Sequence, residues 1–141
     1  MTNITSAHAS SSAPPAAFFA RWADTDTWPQ WNTDTEWVRL DGPFAAGSTG
    51  VLKPKGGPKV AFVVETLVPD REFVDVSKLL GARLTFRHLV SARSDGGCTV
   101  EVSVDIAGPL RRLWHRILGK GLRTNLQADL DRLVELAESP A

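Results

Sequence analysis

The chain holds one cysteine, one methionine and no tyrosine in 141 residues. The lone thiol, Cys98, excludes an internal disulfide framework and a zinc site built from several cysteines. An excess of either charge is also missing, since Lys+Arg and Asp+Glu both total 16. Bulk composition therefore points to neither a polyanion nor an anionic membrane, and no nucleic-acid partner is expected. No apolar run approaches the roughly 18 residues of a membrane span. Met1 to Ala16 is small and polar, without the basic and apolar regions of a secretory signal, so a cytoplasmic protein is expected. His8, His88 and His115 have no close spacing with carboxylates or the cysteine, so neither a metal nor a cofactor is expected. The glycine-rich PKGGPK lacks the GK[ST] pattern and the following helix of a phosphate loop. No GxSxG motif is present, and Cys98 has no neighbouring base.

What is present is organised around the last thirty residues. Gly108 to Glu138 reads as one amphipathic helix, with Pro109 at its first turn. Leu110, Leu113, Trp114, Ile117, Leu118, Leu122, Leu126, Leu130 and Leu133 recur at helical spacing. Two readings stand for Gly119 and Gly121: a kink between shorter helices, or space left for a ligand. Arg111, Arg112, His115, Arg116, Lys120 and Arg123 make its first half basic.

The rest alternates between turns and β-rich runs. Residues 2–10 suggest an edge strand with Ile4, Ser6, His8 and Ser10 on one side. Ala16 to Ala23 suggests a short helix introduced by Pro14 and Pro15, and Asp24 to Asn32 at most another turn or two. Strands are expected around 37–40, 49–53, 59–68, 71–79, 83–93 and 98–107, separated by Gly/Pro turns. The order predicts a single α+β domain over 1–141. Its antiparallel sheet has about six or seven strands, two short helices follow the first strand, and a long C-terminal helix covers one face.

Alternation also predicts register. Val100, Val102, Val104 and Ile106 share one face, as do Leu84, Phe86, His88 and Val90. A three-residue loop, Asp95-Gly96-Gly97, would pair Ser94 with Cys98 and set His88 opposite Val104. A two-residue turn at Leu80-Gly81 would pair Phe73 with His88 and bring Asp75 inside as its diagonal neighbour. A one-residue slip would instead send Asp75 to solvent and bring Val74 and Val76 inside; both registers stay open here.

The proline-introduced helix PPAAFFARW, the following WPQWN, the GPFAAGSTG turn, the strand run and the terminal helix resemble the START-like helix-grip superfamily. The resemblance covers nearly the whole chain and is to its polyketide cyclase/dehydrase and lipid transport branch. It implies a curved sheet gripping the last helix around a hydrophobic cavity. Under that expectation Phe62, Val64, Phe73, Phe86, His88, Val102, Val104, Trp114, Leu118 and Leu122 would line the cavity. Trp28 and Trp31 would guard its entrance, within the cluster Trp22, Trp28, Trp31 and Trp37. His88 and Asp75 are the candidate acid–base or polar-anchoring pair, with no firmer catalytic residue. Three functions follow as expectations: binding of a small lipid, polyketide or aromatic molecule; a cyclase or dehydratase using His88 and Asp75; or a partner-binding module on the basic helix face. Oligomeric state is not predicted.

Overall fold

The computed structural model describes residues 2–139. Strand β1 spans Thr2–Ser11 and is followed by helix α1 (Pro15–Ala23), a 3-10 turn at Thr25–Thr27 and the one-turn α2 (Trp28–Trp31). Six strands come next: β2 (Thr35–Asp41), β3 (Thr49–Pro54), β4 (Val60–Val68), β5 (Glu72–Leu79), β6 (Ala82–Ala92) and β7 (Cys98–Ala107). Helix α3 (Arg111–Glu138) closes the chain. The seven strands form one antiparallel sheet in the order β1-β7-β6-β5-β4-β3-β2, so β5 is central and β1 an edge, as expected.

Alternation puts one apolar residue in two on the face beneath the helices, and this face carries Val38, Phe62, Val64, Phe73, Val100, Val102, Val104 and Ile106. Gly50 sits among them on β3. A methyl group there would collide with the Phe62 ring and the Arg39 carbonyl, so the missing side chain is what lets Phe62 lie across the strand. In β1 a bulge between Asn3 and Thr5 changes the parity. Ile4 is therefore buried while Ser6, His8 and Ser10 face solvent, which corrects the simple alternation expected there.

The β5–β6 turn is the expected two-residue one. Leu79 pairs with Ala82 and Phe73 with His88, and Gly81 supplies the positive φ of 70° that the turn requires. The β6–β7 connection differs. Ala92, not Ser94, pairs with Cys98, and Arg93–Gly97 forms a longer loop closed by Arg93 N–H to the Gly97 carbonyl at 2.8 Å. His88 consequently faces Val102 rather than Val104. A shift of two residues preserves the side-chain face, so facial patterning alone could not detect it.

Helix α3 is continuous from Arg111, with Gly108 and Pro109 in the turn before it. Its two halves are held differently. The second half is tied by Arg132 to the Gln30 carbonyl, Arg21 to the Leu136 carbonyl, Asn125 to Asp34, Gln127 to the His8 backbone, and Glu138 to Ser11. Leu130 and Leu133 are buried there. The first half has one such tie to the sheet, from Trp114 Nε1 to the Leu80 carbonyl at 2.7 Å. Leu110, Leu113 and Ile117 are exposed, which corrects the expectation that the whole apolar stripe is covered.

The two mid-helix glycines do not make a ligand space. A side chain at Gly119 would meet His115 and Arg123, whereas Gly121 faces open space. Gly121→Ala removes backbone freedom from the unfolded chain at no steric cost, so it should stabilise the protein by about 1 kcal/mol. Chemical denaturation would register this as a higher midpoint with an unchanged slope.

Candidate functional site

The inner face of β5 and β6, beneath α1 and α2, gathers the chain's unusual chemistry. Phe18 and Trp22, one helical turn apart, bury one side of α1 against the sheet. Trp22 lies 5.3 Å from His88 and 6.1 Å from Phe73, between ring centroids. Phe73 stacks on His88 at 4.8 Å and 15°, and also touches Trp28 and Phe44. Trp28 stacks on Phe62 and donates its indole N–H to the Trp22 carbonyl at 3.0 Å. Trp31 packs against Trp28 at 5.7 Å.

His88 is 6% exposed, and its Nδ1 lies 2.9 Å from the Phe73 carbonyl. A carbonyl only accepts, so Nδ1 carries the proton and Nε2 keeps its lone pair when the ring is neutral. Burial lowers the His88 pKa from 6.5 to about 4, outweighing the opposing hydrogen bond. Asp75 is also 6% exposed, and burial raises its carboxyl from 3.8 to about 7, despite a hydrogen bond from its own backbone N–H. Cross-strand partners Val64 and Phe86 put Asp75 on the inner face, diagonal to His88. Among the described residues no hydrogen bond joins the two.

Val74 and Val76 are buried as well, on the opposite face of this central strand. There Val74 pairs with Thr66 and Arg87, whose head group reaches Glu72 at 3.5 Å. The two registers left open by the sequence were thus not a choice between burying the valines and burying Asp75. Both faces of β5 are covered.

Among the described residues three buried side-chain atoms have no hydrogen-bond partner: Trp22 Nε1, Trp31 Nε1 and Asp75 Oδ1. Each such atom costs roughly 1–3 kcal/mol when desolvated unpaired. Trp22 was expected only as a member of the tryptophan cluster. Its four-residue spacing from Phe18, beside a histidine-bearing strand, was the available signal.

The expected wall residues divide into two groups. Trp28, Trp31, Phe62, Val64, Phe73, His88 and Val102 surround the aromatic centre. Val104, Phe86, Trp114, Leu118 and Leu122 form a second cluster with Leu84 and Ile106 under the first half of α3. Leu126 packs against both. Trp28 and Trp31 are interior rather than at an entrance, and Trp37 lies partly exposed beneath Lys59. Phe86, Trp114, Leu118 and Leu122 are only partly buried. The two best-formed depressions among the described residues, about 480 and 570 Å³, both lie outside the grip. One is bordered by His8, Ser10, Leu89 and Glu101, the other by Pro14, Arg71 and Ser91. Neither depression is the cavity that the resemblance implied, and a cluster of aromatic side chains lies on the sheet face beneath α1 and α2. Cys98 is buried and burial pushes its thiol pKa up, which leaves it inert.

Comparison with known proteins agrees with this architecture. A family model described as polyketide cyclase / dehydrase and lipid transport matches residues 1–138. No curated protein matches the chain significantly. Among solved structures, truncated norcoclaurine synthase from Thalictrum flavum superimposes with a TM-score of 0.74 at 11% identity, covering 100% of this chain and 98% of that one. Ara h 8.0201 gives 0.70 at 17% identity, covering 96% and 97%. A hypothetical protein of Helicobacter pylori gives 0.74 at 14% identity, covering 94% and 86%. At these identities the likeness concerns the helix-grip fold.

The two shifted groups give opposite pH dependences. Between about pH 4 and 7 the folded state keeps a proton on Asp75 that the unfolded chain releases, so this residue makes stability fall as pH rises. Between about pH 4 and 6.5 the unfolded chain binds a proton that folded His88 refuses, so His88 makes stability rise. In the parent the two largely cancel. Relative to it, Asp75→Asn should gain stability with rising pH, and His88→Phe should lose it, each with a limiting slope of about 1.4 kcal/mol per pH unit. Denaturant unfolding at several pH values measures both slopes.

Proposed function

We propose that this chain, which belongs to the polyketide cyclase/dehydrase and lipid transport family, binds a small, mainly apolar molecule bearing a polar group between its sheet and α3. The observation that carries this reading is the set of unpartnered atoms in an aromatic interior: Trp22 Nε1, Trp31 Nε1 and Asp75 Oδ1. A ligand oxygen that accepts from an indole, or a hydroxyl that donates to Asp75, removes a cost the free protein carries. Flat rings already line the space, which suits an aromatic or polyketide skeleton better than a flexible polar one. Entry runs under the first half of α3, which makes fewer side-chain hydrogen bonds to the rest of the fold than the second. Trp114, Leu118 and Leu122 then lead towards the aromatic centre through Leu126. The buried free thiol accords with work in a reducing cytoplasm.

A second reading rests on the opposed shifts of His88 and Asp75. A neutral imidazole with its Nε2 lone pair available and a carboxyl still half protonated near pH 7 form a base and an acid on adjacent strands. Elimination of water from a β-hydroxy ketone needs both, one to take the α-proton and one to protonate the leaving hydroxyl. His88→Ala would abolish turnover in that case, but lower affinity only modestly in a simple binder.

Tryptophan emission during titration with 2-naphthol and with naphthalene tests the binding reading. Naphthol should bind about tenfold more tightly, the value of one buried hydrogen bond. Asp75→Val should erase that preference while raising the stability of the free protein at pH 7. Equal affinities, or unchanged emission with both compounds, would contradict polar recognition inside the grip.

A further inference from the structure

The solvent side of α3's first half combines two stripes. Arg112, Arg116, Lys120 and Arg123 follow one another at spacings of four, four and three residues, which places them on one line of the helix. Beside them lie Leu113, 50% exposed, and Ile117, 57% exposed. The β5–β6 turn extends the apolar stripe with Leu80, which is 80% exposed. That turn is fastened to the helix start by Leu110 N–H to the Gly81 carbonyl at 2.8 Å and by Trp114 Nε1 to the Leu80 carbonyl. Leu80, Leu110, Leu113 and Ile117 therefore belong to one fixed surface.

Its electrostatics are unfavourable in the isolated chain in two independent ways. Arg111 and Arg112 occupy the positive end of the helix dipole, with no acidic residue in the first turn. Arg112, Arg116 and Lys120 repel one another at i,i+4 spacing. None of these residues, nor Arg123, has a carboxylate partner within 4.0 Å among the described residues. From Gly108 to Arg123 the chain contains no acidic residue at all. The nearest carboxylate in the strand register, Asp105, pairs with Thr85 and accepts from Asn3.

We infer that this face docks on an anionic lipid bilayer. Leu80, Leu113 and Ile117 enter the headgroup–acyl boundary, and Arg112, Arg116 and Lys120 meet the lipid phosphates. Exposed branched apolar side chains beside a line of cations match an interfacial surface rather than a span, and no helix of the described residues is long and apolar enough to cross a membrane. One anionic surface relieves both together. The chain's neutral total conceals this, because the balancing acids lie elsewhere, several of them in the second half of α3. Docking also sets the weakly tied half of α3, the proposed way into the grip, against the lipid.

Flotation with vesicles of phosphatidylcholine, with and without phosphatidylglycerol, tests docking without any interior ligand. The full chain should float with the anionic vesicles at low salt and remain behind with the zwitterionic ones. Arg112→Glu/Arg116→Glu should weaken partitioning by more than about tenfold, given the contribution of each basic residue near an anionic surface. Leu113→Asp/Ile117→Asp should weaken it as strongly, with unchanged circular dichroism because both positions are exposed. Failure to float, equal binding to both vesicle types, or indifference to either double substitution overturns the inference. So does concentration-dependent dimerisation abolished by Leu113→Asp without flotation, which would assign the face to a second copy. Loss of naphthol binding with flotation intact would count against interior binding alone.

Discussion

Phe73 is the residue on which the rest of the structure depends. Its ring is fully buried, lies parallel to His88 and is surrounded by Trp22, Trp28 and Phe44. Its carbonyl holds His88 Nδ1. Strand pairing, ring packing and the tautomer of His88 are therefore set by one residue. Moving β5 by a single position against β6 would break all three and send Asp75 to the other face.

Around that centre, apolar burial is opposed by unpaired polar groups. Fully burying a large apolar side chain contributes about 1.5–3 kcal/mol, and Phe18, Trp22, Trp28, Phe62 and Phe73 all qualify. Three unpartnered polar atoms oppose this at about 1–3 kcal/mol each. For a domain whose net stability is about 5–15 kcal/mol, that opposing amount is large. Ordinary cores replace such groups by apolar ones. Retaining a carboxyl and two indole N–H groups is therefore best understood as a binding property carried at the expense of stability. Helix α3 repeats the theme, with one half fastened by side-chain hydrogen bonds and the other left with exposed leucine and isoleucine.

Much of this was legible in the sequence, for physical reasons. The order of elements follows from periodicity and turn residues, and the inner position of His88 follows from alternation. The Leu80-Gly81 turn offered the observed β5–β6 register as one of two, because Val74 and Val76 made the slipped one equally attractive on hydrophobicity. The Arg93–Gly97 loop was missed because a shift of two residues leaves the facial pattern intact. The bulge in β1 was invisible for a related cause, since one inserted residue in a polar strand changes no conspicuous hydrophobic pattern. Helical periodicity identified the apolar arc of α3 but not how much of it the sheet could cover, so Leu113 and Ile117 were placed inside. Composition gave a neutral chain, while the order of residues already marked the first half of α3 as basic.

The central claim is that the aromatic interior is dry enough to keep a carboxylic acid neutral well above its ordinary range. Carbon-13 NMR of the Asp75 side-chain carboxyl, followed through a pH titration of the folded protein, measures this directly. A midpoint near pH 7 is the predicted result. A midpoint near pH 4 would mean that water reaches Asp75, and would contradict the account of the site.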